Sequence, residues 1–172
     1  MKLTKFFLIA LIIGVFSGFI QVVDQLLSPH ILPVGNKGFG WISFMSSAVF
    51  GIAGNTVKGG IRSFIAYFLG ICAASLIIQG GAVWFSAMGF WAIPFSIAFF
   101  VVPVMYLEKV PWLDFIPGLF IAGATCFGLR TYVPGANFSN ILVVEMTYAT
   151  VGLIFGWIMA VLSKQVEKKF SK

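Results

Sequence analysis

The sequence predicts an all-α, polytopic membrane protein of about six transmembrane helices, and three observations lead there. Of its 172 residues 60% are hydrophobic and only 9% charged, whereas soluble chains run near ~45–50% and ~25%. With 20 Phe, 19 Gly and a mean hydropathy of +1.04, there is too little polar surface to cover a particle that faces water on every side. Apolar runs also recur at close to the ~20 residues that cross ~30 Å of hydrocarbon at 1.5 Å per residue.

The first run follows Lys2 and Lys5 and covers residues 6–27. It exceeds the ~7–15-residue core of a secretory signal and lacks a small-x-small cleavage site, so an uncleaved helix is expected. Five further spans are expected at 39–54, 60–79, 82–107, 112–131 and 140–163, forming a single transmembrane domain over 1–172. Their loops are short: 28–38, 55–59, the Gly80-Gly81 turn, 108–111 and 131–139. The second span is short and carries Ser43, Ser46 and Ser47, which points to a tilted or broken helix. Pro94 and Pro103 predict kinks in the fourth span, and Pro117-Gly118 predicts an interruption just inside the fifth.

The 11 basic residues against 5 acidic ones give a net charge of +6. Their placement, mostly in turns between apolar runs, argues for membrane orientation rather than nucleic-acid binding. With both termini cytoplasmic, Lys2, Lys5, Lys58, Arg62, Lys109, Lys164, Lys168, Lys169 and Lys172 fall inside, and only Lys37 and Arg130 outside. The positive-inside rule favours that orientation. Cys72 and Cys126 lie in apolar runs without metal-ligand spacing and read as small buried hydrophobes.

In lipid, helices associate through small residues that let backbones approach. Small residues four apart recur at Gly14 and Gly18, Ser47 and Gly51, Gly70 and Ala74, Ala92 and Ser96, Gly118 and Ala122, and Gly152 and Gly156. They imply tight packing within the chain or a homo-oligomer face. Aligning Trp41-Ile42-Ser43-Phe44 with Trp112-Leu113-Asp114-Phe115, with one gap, sets Ile52-Ala53-Gly54-Asn55-Thr56 against Ile121-Ala122-Gly123-Ala124-Thr125. This suggests a 3+3 inverted repeat, in which the second and fifth spans correspond.

An intramembrane charge needs a partner, water or the interface, so each one is a candidate site. Ser17, Gln21, Asp24 and Ser28 form one polar stripe on the first span. Arg130 closes the fifth span and Glu145 lies early in the sixth, at similar depth. Asp24, Gln21, Arg130 and Glu145 therefore form a candidate outer polar cluster, which either lines a vestibule for a solute or ties helices together through an Arg130–carboxylate pair. Pro117, Gly118, Gly54 and Asn55 mark candidate helix breaks along a path. Asp114 is expected to cap the fifth helix, and His30 to be a solvated loop residue or an external pH sensor.

No histidine lies within a span to activate a nucleophile, and no Walker loop, GxGxxG after a strand or HExxH occurs. An enzyme, a cofactor and a metal site are not expected. The segment Phe115-Ile116-Pro117-Gly118-Leu119-Phe120-Ile121-Ala122-Gly123-Ala124-Thr125-Cys126-Phe127 resembles the YcdZ-type family of small bacterial inner-membrane proteins, a domain of unknown function numbered 1097. The Trp41 segment through Lys58-Gly59-Gly60 and the run Val151–Gly156 are similar to that family too. The resemblance implies a multi-spanning bacterial inner-membrane protein and brings no substrate or catalytic residue. The expected function is a channel or transporter for a small solute. The alternative is a non-transporting partner or assembly subunit whose glycine faces dock other membrane helices.

Overall fold

The computed structural model describes residues 3–31 and 38–170, and among them six α-helices and no strand. They are α1 (Leu3–Ile31), α2 (Gly40–Ile52), α3 (Val57–Gln79), α4 (Ala92–Met105), α5 (Ile116–Tyr132) and α6 (Phe138–Phe170). The sides expected for Lys2, Lys37 and Lys172 lie outside the described residues. Four helical elements, Leu3–Ile31, Val57–Trp84, Ser86–Lys109 and Phe138–Phe170, are long and apolar enough to cross a membrane. Large apolar side chains such as Phe7, Phe90, Phe99 and Val102 are exposed along them, which hydrocarbon tolerates and water does not. The helices divide into two units, residues 1–60 with 147–172 and residues 61–146, so α6 contributes to both.

In the first unit, α6 approaches α2 closely because Gly152 carries no side chain. A Cβ there would stand 2.0 Å from the Ser43 carbonyl oxygen and 2.0 Å from the Ser46 hydroxyl. Ser43 donates to the Tyr148 carbonyl at 2.7 Å, and one turn beyond Gly152 the ring of Phe50 lies against Gly156. The small-residue pair on the sixth span thus packs within the chain. Gly14 and Gly18 of α1 have nothing within 4 Å and take no such part.

The helix α2 has 13 residues, about 20 Å of rise, too short to cross ~30 Å unaided. Its end is a Schellman turn: Asn55 N–H bonds the Phe50 carbonyl, Gly54 N–H bonds the Gly51 carbonyl, and Gly54 (φ 91) and Asn55 (φ 53) occupy the left-handed region. Thr56 then caps α3, accepting from Gly59 N–H at 3.0 Å.

In the second unit α3 and α5 meet at small residues: a Cβ on Gly70 would fall 2.3 Å from the Leu119 carbonyl oxygen and 2.7 Å from the Ala122 methyl. The boundary between the third and fourth spans differs from expectation. Gly80-Gly81 does not reverse the chain; Gly80–Trp84 prolongs α3 by one π turn, and the reversal comes at residues 85–91, where Gly89 has φ 54. The two glycines serve packing instead, Gly80 against Ser96 and Phe100 and Gly81 against Ile93. Ser96 ties this hairpin by donating to the Ile77 carbonyl at 2.6 Å.

Pro94 and Pro117 also act differently from expectation. Pro94 falls in the first turn of α4, where a missing N–H is harmless, so it does not divide the span. Pro117-Gly118 does not interrupt α5 either: the helix starts at Ile116, and Pro117 stands in its first turn. Asp114 makes no cap bond; it pairs with Arg62 at 2.7 Å. His30 is exposed but lies in the last turn of α1 rather than in a loop, because the helix runs through Pro29 to Ile31.

Candidate functional site

The polar stripe of α1 leads into the first unit. Asp24 is buried, at 4% exposure, on a helix that is otherwise mostly open. Its carboxylate accepts from Phe39 N–H at 3.0 Å, from the Gln21 amide at 3.1 Å and from the Tyr148 hydroxyl. A buried carboxylate with three donors is electrostatically satisfied, and this one holds three segments together: α1, the entry to α2, and α6. Gly38 (φ 115) and Gly40 leave room for it, since a Cβ on Gly38 would lie 2.4 Å from its oxygen. Gln21 is exposed and touches the site only through Asp24.

The second unit holds a cavity of about 660 Å³ among α3, α5 and the start of α6. Its polar lining comes from Ser75, Gln79, Arg130 and Asn137, with the thiols of Cys72 and Cys126 beside them. The periodicity of α3 places Cys72, Ser75 and Gln79 on one face, and α5 brings Cys126 and Arg130 together by its i, i+4 spacing. The two cysteines are free, Cys126 buried and Cys72 half-buried. Cys126 stands 3.9 Å from the Ser75 hydroxyl.

Arg130 does not pair with a carboxylate. Its guanidinium donates to the Ala136 carbonyl, closing the turn after α5, and among the described residues no ion pair includes it. Glu145 lies seven residues after the start of α6, about two turns in, and is fully buried. Among the described residues, neither of its carboxyl oxygens has a hydrogen-bond partner, and nor has the hydroxyl of buried Tyr67. Glu145 is within electrostatic reach of both Tyr67 and Cys126.

The candidate residues thus separate. Asp24 and Gln21 belong to the first unit, Arg130 and Glu145 to the second. Pro117 and Gly118 lie at the start of α5, with Gly118 packed between Phe115 and Ala66, and neither lines the large cavity. Gly54 and Asn55 form the end of α2, and Asn55 borders a groove of about 370 Å³ beside Lys164 and Glu167 in the first unit. Lys164 donates to the Asn55 carbonyl at 3.2 Å. Sequence reasoning passed over Tyr148, Tyr67, Gln79 and Asn137. Tyr148 carried a readable sign, a phenol three residues after an intramembrane glutamate and so close to the same face.

A family model described as a protein of unknown function, DUF1097, matches residues 10–164. The chain belongs to that family. The DUF1097 match takes in Asp24, the whole of α2 to α5, the cavity lining and Glu145, so both polar sites lie within it. No curated protein and no solved structure matches the chain.

Proposed function

We propose that this DUF1097 protein is a small multi-pass protein of the bacterial inner membrane that passes a small polar solute, as a channel or transporter, through the cavity of its second unit. The observation that carries this reading is the cavity itself: about 660 Å³ among apolar helices, with hydroxyl, amide and guanidinium groups converging on it. Ser75, Gln79 and Asn137 supply donors and acceptors without a fixed charge, which suits a neutral hydrogen-bonding solute of the size of urea or glycerol. The nine-to-two bias of basic residues supports cytoplasmic termini.

Stopped-flow light scattering of proteoliposomes against urea, acetamide, glycerol and small ions tests the proposal. A protein-dependent permeability to at least one of the neutral solutes is expected, reduced in Asn137→Leu. Folded protein that leaves every rate at the level of empty vesicles overturns it.

A second reading, a non-transporting subunit that docks on other membrane helices, draws on α1. Only 6% of its apolar window is buried, and its Gly14 and Gly18 face is open. Extraction in mild detergent separates the two: this reading needs a stable complex, with a second copy or another protein, that Gly14→Leu with Gly18→Leu breaks.

A further inference from the structure

Beside the cavity of the second unit lies a group that its lining does not use. Glu145 is one helical turn beyond Ile141, which borders the cavity, and its carboxyl is fully enclosed. Both carboxyl oxygens and the Tyr67 hydroxyl are buried without a hydrogen-bond partner among the described residues. A structural carboxylate looks different in this same molecule: Asp24 takes three donors. An unpaired charge at membrane depth costs at least ~2.5–3.5 kcal/mol, so a glutamate placed there without a fixed partner calls for a positive partner that comes and goes.

Among the described residues, the titratable groups in electrostatic reach of Glu145 within its unit are Tyr67 on α3 and Cys126 on α5. Cys72 lies further along α3, and Arg130 is one turn beyond Cys126. Arg130 is engaged with the Ala136 carbonyl, and Arg62 is held by Asp114 at 2.7 Å. Neither cation neutralises Glu145. One carboxyl and one phenol are too few oxygens for a metal ion of the sodium or calcium kind, which takes six or more, and among the described residues no group of three metal-ligating side chains occurs. A proton needs one oxygen only.

We propose that Glu145 is a proton-exchange site beside the cavity, with Tyr67 of α3 near it and Cys126 at the junction with the solute space. The inference rests on the transport reading above and names its coupling ion. In the step, a water-borne proton forms an O–H bond to a Glu145 carboxyl oxygen; on release that bond breaks and the proton returns to water. No electron is transferred, and the side chain alternates between one negative charge and none.

The test reads Glu145 directly and needs no solute. The chain has three glutamates, Glu108, Glu145 and Glu167, and the first and last are exposed. A Glu108→Gln, Glu167→Gln variant carrying carbon-13-labelled glutamate therefore reports Glu145 alone by infrared difference spectroscopy in lipid. The expected result is an isotope-shifted protonated-carboxyl band that grows and fades with bath pH and is lost in Glu145→Gln. A labelled carboxyl that stays ionised throughout overturns the proposal. So does a band that follows sodium concentration at fixed pH. Flat permeability with a titrating band sinks the solute reading but leaves the proton site standing; permeability with no titrating band does the reverse.

Discussion

The hydroxyl of Tyr148 donates to the carboxylate of Asp24, 124 positions earlier in the chain, and both groups are buried in the first unit. This contact joins α6 to α1, while the Phe39 N–H on the same carboxylate brings in the start of α2. One side chain thus ties together three segments of the first unit, alongside the Ser43 bond from α2 to the Tyr148 carbonyl of α6.

Tyr148→Phe removes that donor and leaves the ring in place. The buried carboxylate then lacks one of its three partners, at a cost of about 1–3 kcal/mol. The purified protein should lose thermal stability measurably. Asp24→Asn should do the same, and combining the two should cost less than the sum of the single effects, because they act on one network. Additive losses in that cycle would show the two residues to be independent.

Gly152 and Gly14 should respond oppositely to alanine. At Gly152 the methyl meets backbone and hydroxyl oxygens at 2.0 Å, so α2 and α6 must separate, at a cost of roughly 1–3 kcal/mol. At Gly14 nothing lies within 4 Å and the helical backbone accepts alanine, a gain of up to about 1 kcal/mol from helix propensity. Unfolding midpoints of the two variants, measured side by side in one detergent, check this. Equal shifts would remove the packing argument.

Cys72 should be the thiol that water-soluble reagents reach first. It is half-buried and borders the cavity, whereas Cys126 is buried at 1% exposure. A small methanethiosulfonate should modify Cys126→Ser protein several-fold faster than Cys72→Ser protein, and occupying the cavity in this way should lower solute permeability. Equal rates for the two variants would contradict the placement of the thiols.

Asp114→Asn should be mild. The Arg62–Asp114 pair is about one-third exposed on both sides, so its loss is worth about 0–1 kcal/mol and shrinks with added salt. A loss well above that, persisting at high salt, would assign Asp114 a larger role than a partly solvated ion pair.

Composition and run length by themselves determined the helical class, because apolar runs of about 20 residues with so few charges satisfy their backbone within each run as helices. The glycine motif at Phe115–Phe127 was enough to point to the family. Local sequence did not decide which glycines turn the chain and which admit a neighbour: Gly54 turns, whereas Gly80 and Gly152 make room for Ser96 and Ser43, and that depends on what stands opposite. The polar residues divided for the same reason. Asp24 and Glu145 both read as members of one outer polar cluster, yet one takes donors from distant segments and, among the described residues, the other takes none. Hydrogen bonding in a low-dielectric interior is set by partners far away in sequence, so only the tertiary structure could separate a structural carboxylate from a candidate working one.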